Sequence, residues 1–310
     1  MKTAVFRGKE IEENQMIKAV LVDMDGTLLN EQGKITEKTA NTIKEFQKKG
    51  GIFVINSGRG YQTASKLVKG AGIECDYICL SGAGIFDTDG NCLKFDCMTK
   101  DEVLLVRSIE KKYDLYMNYL TEEGAFCEGS RERAEKHYLM EAKILAEDAG
   151  REFCEETALD RYQGILNYVK YDSDIEAMIE RGVPIFKMAI MAKDMETLME
   201  AKEEFWNYPE LCVASTFRTN IEVNADRVDK GLAGMEYARM KGILPEEVMV
   251  IGDSENDLPM LVQPFGMAVA MGNGSSDVKE VCTHETLSNS EDGVAYAIEK
   301  WALKPEEELI

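Results

Sequence analysis

The stretch Ile17-Lys-Ala-Val-Leu-Val-Asp23-Met-Asp25-Gly-Thr27-Leu-Leu-Asn30 limits the possible folds of this chain more than any other. Its apolar run, Val20 to Val22, lacks the polar alternation of a half-exposed strand and reads as a strand buried in a parallel sheet. The run ends in two carboxylates one residue apart, followed by Gly26 and Thr27, a pair suited to a tight backbone turn. In an open α/β sheet, ligands bind outside the carboxyl ends of the strands. Two acids therefore stand where chemistry is expected. Taken alone, the pair also fits loop carboxylates that cap a turn. Three later segments decide between these readings.

After the first strand, Thr36 reads as an N-cap, Ala40, Ile43 and Phe46 follow at helical spacing, and Gly50 ends the helix. The apolar run Ile52 to Ile55 then leads into Asn56-Ser57-Gly58-Arg59 and a helix from about Tyr61 to Lys69. A hydroxyl and backbone N–H groups at that junction suit an anion. A third strand, Tyr77 to Leu80, precedes Ser81-Gly82-Ala83-Gly84 and a hairpin that turns at Asp89-Gly90. From 98 to 224 the pattern changes to helices and strands without Gly-rich turns, which reads as an inserted α+β module. The α/β pattern resumes with Asp229-Lys230-Gly231, which opens a helix ended by Gly242. Val248 to Ile251 is the next buried strand and ends in Gly252-Asp253-Ser254-Glu255-Asn256-Asp257; Met267 to Ala270 follows it, and helices at 275–281 and 291–301 close the chain.

The fold expected is α/β: a doubly wound, mainly parallel, Rossmann-like sheet core at 17–97 and 225–310, with an α+β domain inserted at 98–224. A length of 310 residues and a hydrophobic content of 45% accommodate two such cores. Residues 1–16 are polar, show no period and read as a disordered leader that folding does not need.

Charge narrows the partners. The formal net charge of -21 argues against nucleic acid and against an anionic membrane, because phosphate surfaces require positive charge. Eight cysteines form no C-x-x-C pair and no Cys/His zinc spacing, and two histidines leave little imidazole for catalysis. Free thiols and the absence of a signal peptide or long apolar run fit a cytoplasmic protein. Nothing in the sequence sets its oligomeric state.

Asp23 and Asp25, Ser57, and Asp253, Asn256 and Asp257 thus end three strands, with Lys230 at a helix start. Acids converging from separate strands repel unless a cation lies between them. An all-oxygen set points to Mg2+, shared with a substrate phosphate. A carboxylate beside Mg2+ can attack phosphorus and form an aspartyl phosphate. The metal, a lysine and hydroxyl or amide donors then meet the charge on the transferring group.

The four segments DMDGT at 23, INSGR at 55, DKG at 229 and GDSEND at 252 resemble the four motifs of the haloacid dehalogenase superfamily of phosphatases. The insertion between the second and third motifs resembles the α/β cap of the Cof-like branch, as do AVAMGNG at 268 and SNSEDGVAYAI at 288. The resemblance spans residues 17 to 301. It implies that Asp23 is the nucleophile and a metal ligand, and that Asp25 is the general acid/base whose backbone carbonyl also binds the metal. It implies Asp253 as the remaining ligand. Ser57, Lys230 and Asn256 then hold the phosphoryl oxygens with backbone help from Met24 and Gly58, and Asp257 orients the metal site or Lys230 from behind. Ser81 stands where the family often has Asn, and Asn273-Gly274 where it usually has Asn-Ala.

The expected activity is Mg2+-dependent hydrolysis of a small phosphorylated metabolite, a sugar phosphate foremost. Transfer to another sugar hydroxyl, as in mutases, uses the same intermediate and is the alternative. A noncatalytic metabolite-binding protein is the alternative from another class, against which the intact Asp23, Asp25, Lys230 and Asp253 argue.

Overall fold

The structure, a computed structural model, describes residues 16–121, 123–215 and 218–303. The expected leader lies outside the described residues except for Met16. Contacts divide the chain into two units, one running to Phe95 and resuming at Asp229, the other Asp96–Val228.

In chain order the first unit begins with β1 (Ala19–Val22), α1 (Glu37–Lys48), β2 (Ile52–Asn56), α2 (Tyr61–Gly70), β3 (Asp76–Cys79), β4 (Gly84–Phe86) and β5 (Cys92–Phe95). The second unit follows with α3 (Lys100–Tyr113), β6 (Tyr116–Thr121), β7 (Gly124–Phe126), α4 (Arg131–Asp148), α5 (Glu155–Tyr168) and β8 (Val169–Lys170). It continues through α6 (Ile175–Glu180), β9 (Ile185–Met191), α7 (Met195–Phe205), β10 (Leu211–Ala214) and β11 (Ile221–Ala225). The first unit resumes with α8 (Lys230–Lys241), β12 (Val248–Gly252), α9 (Leu258–Leu261), β13 (Met267–Ala270), α10 (Ser276–Val281), β14 (His284–Glu285) and α11 (Gly293–Ala297).

The first unit's sheet has the order β14-β13-β12-β1-β2-β3-β4-β5. Six of its strands are parallel, and the β3-β4-β5 edge is antiparallel. This is the expected doubly wound, mainly parallel α/β fold. Every residue of β1 and β12 is buried, as both-faced coverage requires, and this explains their unbroken apolar runs. Leu21, Val54, Ile78 and Val250 share one cluster with Ala233, Tyr237 and Ala238 of α8 and Met260 of α9. Each large aliphatic chain so buried contributes about 1.5–3 kcal/mol. β2 pairs with one side of β1 and β12 with the other, so the winding reverses at β1. A ligand crevice is expected at that reversal, outside the carboxyl ends.

Local signals set the helix ends. Thr36 accepts the Thr39 N–H at 3.1 Å, Asp229 accepts the Leu232 N–H at 2.7 Å, and Gly242 closes α8 at φ 68°.

The second unit is α+β, with sheet order β10-β11-β9-β6-β7-β8. Its pairs are antiparallel except β7 with β8. A capping box of Thr99 and Glu102 starts α3. Ala134 and Tyr138 of α4 and Leu166 of α5 pack with Tyr116 of β6, Ala125 of β7 and Cys127 just past it. The short elements β8, α6 and β14 have no counterpart in the sequence reading, because two to six residues are too few to show a period. Among the described residues, no helix is long and apolar enough to cross a membrane.

Candidate active site

β1 hands its last ladder bond to Asp23, whose N–H donates to the Ile251 carbonyl at 3.1 Å. The chain then folds back on itself: the Leu28 N–H donates to the Asp23 carbonyl at 3.2 Å and the Leu29 N–H to the Met24 carbonyl at 2.9 Å. Gly26 makes that turn possible in two ways. Its φ of +85° is left-handed, and a Cβ there would lie 2.3 Å from Asp253 Oδ2. Only glycine lets the Asp253 carboxylate approach so closely. Thr27 Oγ1 then donates to Asp253 Oδ1 at 2.7 Å, so the turn itself orients an acid from β12.

Lys230 opens α8 and is 1% exposed. Its Nζ lies 2.6 Å from Asp23 Oδ1, 2.6 Å from Asp257 Oδ1 and 3.3 Å from Asn256 Oδ1. Burial works against its charge, but Asp23 and Asp257 outweigh that and hold its pKa well above the ordinary lysine range. The other oxygen of Asp257, Oδ2, accepts the N–H groups of Asp253 at 2.9 Å and Ser254 at 3.1 Å. Asp257 therefore braces both the lysine and the loop that carries Asp253. Asn56 at the end of β2 donates from Nδ2 to the Lys230 carbonyl at 2.9 Å and ties the helix start to the sheet.

Asp23, Asp253 and Asp257 each offer an oxygen, and these atoms lie within 4.8 Å of one another. Burial, followed by repulsion from Asp257, raises the pKa of Asp23 well above normal, and Lys230 offsets this only in part. The same two causes raise Asp253 to about 7 against the pull of Thr27. A crowd of buried oxygens that resist ionisation fits a hard divalent cation, which would relieve the repulsion. Both oxygens of Asp257 are already hydrogen-bonded, which leaves Asp23 and Asp253 as the better donors.

The Asp25 carboxylate is turned elsewhere. Arg59 grips it from two sides, Nε to Oδ2 and Nη2 to Oδ1, each at 2.7 Å. Burial lowers the Arg59 pKa, yet the bond and charge of Asp25 raise it on balance. Ser57 is buried just past β2, level with Met24 by the register of Ile55 on Val22. Its Oγ accepts the Arg59 N–H at 3.2 Å, and Gly58 beside it is half-buried.

The structure thus brings Asp23, Lys230, Asp253, Asn256 and Asp257 into one hydrogen-bonded group. Ser57, Gly58 and Met24 lie on the same sheet edge, and the side chain of Asp25 joins Arg59. Sequence reasoning missed Arg59, Thr27 and Asn56 as site residues. Arg59 and Thr27 stand inside the DMDGT and INSGR segments, a signal that was available. Asn56 stands inside INSGR as well.

The two departures from the family pattern have local explanations. Leu80 and Ser81 are left-handed, at φ 54° and 58°, where Asn is the residue more easily accommodated. That strained turn holds the loop before α2: the Ser81 N–H donates to the Ser57 carbonyl at 3.0 Å and the Leu80 N–H to the Arg59 carbonyl at 2.9 Å. At Gly274 a Cβ would lie 2.9 Å from the Met271 carbonyl oxygen, so glycine eases a close passage.

The winding of the sheet and the polar groups gathered where it reverses define the class of this protein, a phosphatase. The chain belongs to the haloacid dehalogenase-like hydrolases, whose family model matches residues 20–298. It is 28% identical over 291 residues to 5-amino-6-(5-phospho-D-ribitylamino)uracil phosphatase YcsE of Bacillus subtilis (strain 168), covering 94% of this chain and 98% of that one. A solved haloacid dehalogenase-like hydrolase from B. subtilis superposes with a TM-score of 0.80 at 23% identity, over 92% of this chain and 99% of that one. A solved sugar phosphatase of the superfamily's subclass IIB, BT4131, superposes with a TM-score of 0.72 at 22% identity, over 93% and 100% of the two chains.

Proposed function

We propose that this protein is a cytoplasmic, Mg2+-dependent phosphatase that hydrolyses a small phosphorylated polyol or sugar through an aspartyl phosphate on Asp23. The observation that carries the reading is the buried Lys230 ammonium, 2.6 Å from Asp23 and facing Asn256, beside the carboxylate of Asp253. In the first step a carboxylate oxygen of Asp23 forms a bond to phosphorus as the ester P–O bond breaks, and Asp25, protonated and released from Arg59, gives its proton to the departing alkoxide. In the second step Asp25 takes a proton from water. The water oxygen bonds to phosphorus, the Asp23–phosphorus bond breaks, and inorganic phosphate leaves. Lys230, Ser57, Asn256 and the backbone at Met24 and Gly58 hold the phosphoryl oxygens, while Asp257 keeps Lys230 and the Asp253 loop in place. Asp23, Asp253 and the Asp25 carbonyl would hold Mg2+, which supplies positive charge for the developing phosphoryl oxygens.

The substrate class rests on the relative's name, whose phosphate sits on a ribityl chain. We assign selection among leaving groups to the 96–228 unit, a cap inserted between the Ser57 and Lys230 segments. All eight cysteines are free thiols, which supports a reducing compartment.

A panel of phosphorylated sugars, polyols and nucleotides, assayed for released phosphate, tests the reaction and its metal together. Exhaustive chelation is expected to abolish turnover, and Mg2+ to restore it. Full activity in chelator would sink the metal assignment. Asp25→Asn tests the proton transfers. Positioned acid/base groups contribute about 10²- to 10⁴-fold, and turnover of ribose 5-phosphate is expected to fall by that order. Formation of the phosphoenzyme from nitrophenyl phosphate, whose leaving group needs little protonation, is expected to fall much less. The acyl phosphate then accumulates on Asp23 and is detectable by acid quench and peptide mass analysis. Equal rates for variant and parent on both esters would remove Asp25 from the mechanism.

A further inference from the structure

Two segments of the first unit carry no group of the proposed reaction: the loop Met271-Gly-Asn-Gly274 after β13 and the turn Ser288-Asn-Ser-Glu-Asp292 before α11. Their asparagines nevertheless converge on the loop that follows Asp25. Asn273 Nδ2 donates to the Gly26 carbonyl at 2.8 Å, and Asn289 Nδ2 donates to the Leu29 carbonyl at 2.8 Å. The two are joined to each other, because the Asn289 N–H donates to Asn273 Oδ1 at 2.8 Å. One connected pair therefore holds both ends of the turn from Gly26 to Leu29. The same loop reaches the other side of the site, where the Ser275 N–H donates to the Asp253 carbonyl at 2.9 Å.

Gly26 is the residue through which the chain leaves Asp25, and its left-handed φ belongs to a residue type with wide backbone freedom. Arg59 holds the carboxylate end of Asp25, and something outside the turn must also fix its backbone if the carboxyl is to meet a leaving group once it leaves Arg59. Side-chain amides suit the task, since an asparagine can donate and accept at once. We propose that Asn273 and Asn289 form a positioning pair for Asp25, acting through the Gly26–Leu29 turn; this rests on the acid/base reading of Asp25. Asn273 is exposed and Asn289 half-buried, so the pair adds little to global stability. A modest loss of alignment acts instead on the step that needs proton transfer.

The test uses the full chain with Asn273→Ala, Asn289→Ala, the double variant and Asp25→Asn, assayed for turnover on ribose 5-phosphate and for the rate of phosphoenzyme formation from nitrophenyl phosphate. Each single asparagine variant is expected to lower kcat on ribose 5-phosphate by about tenfold, the scale of one lost hydrogen bond. KM, the rate of phosphoenzyme formation from nitrophenyl phosphate and the thermal midpoint should stay near the parent values. The double variant should lose little more than the worse single, because the two residues act as one unit. Equal losses on both esters accompanied by a lower midpoint would show a structural staple and overturn the proposal, as would unchanged kinetics. If Asp25→Asn separates the two esters and the asparagine variants do not, only the positioning inference fails. If Asp25→Asn itself does not separate them, the acid/base reading fails and the inference falls with it.

Discussion

Asp23→Asn is expected to lose turnover by on the order of 10⁴- to 10⁶-fold, the scale seen when a nucleophile is removed from its catalytic unit. The metal-free protein should nevertheless melt no lower than its parent. These opposite outcomes follow from one environment. Burial opposes the Asp23 charge first, and the charges of Asp257, Asp253 and Asp25 oppose it further, with Lys230 and, more weakly, Arg59 pulling the other way. An amide of the same shape removes the repulsion and still offers Lys230 an oxygen, while Lys230 keeps Asp257 at 2.6 Å. Sites that trade stability for activity behave in this way. Turnover retained within tenfold would place the nucleophile elsewhere. A midpoint lowered by several degrees would show that the ion pair outweighs the crowding.

How much of this was legible beforehand depended on whether a property repeats along the chain or arises across it. β1, β2 and β12 could be read because burial on both faces leaves unbroken apolar runs such as Val20 to Val22 and Val248 to Ile251. The starts of α1 and α8 could be read because Thr36 and Asp229 cap them through bonds only three residues long. The acids at 23, 25, 253 and 257 were conspicuous because polar residues directly after such runs need a reason. The direction of each side chain was not legible. Arg59 follows Ser-Gly before a helix, and nothing in that local sequence gives a direction to its side chain, yet it grips Asp25 across 34 positions. Asn273 and Asn289 meet the nucleophile loop from 247 and 260 positions away, so no local pattern announces them. Leu80 and Ser81 were read as a strand end and a loop because a left-handed leucine contradicts its own preference. Such a conformation is dictated by the bonds to Ser57 and Arg59 and not by the residue.

Lys230→Met is expected to injure both the fold and the chemistry. The ammonium is 1% exposed and touches Asp23 and Asp257, of which Asp257 is 0% exposed. Removing one partner of a buried ion pair costs about 3–5 kcal/mol, because the remaining charge has neither water nor counter-ion. The loss should appear as a lower urea midpoint at unchanged slope. Its pH dependence has a definite sign. Without Lys230, the strongest influence that lowers the pKa of Asp23 is gone, so its folded-state pKa rises further above the unfolded value of an ordinary carboxylate. The folded state then binds more protons than the unfolded one between those two values, and stability falls as pH rises through that window. In chelator, the gap between Lys230→Met and parent should therefore be wider at pH 8 than at pH 5. Adding Asp257→Asn to Lys230→Met removes the most deeply buried stranded charge and should recover part of the midpoint at pH 8. Turnover should not return, because the phosphoryl oxygens still lack the ammonium. A double variant no more stable than Lys230→Met alone would mean that the lysine supports the fold through its packed stem, with its charge serving only the reaction.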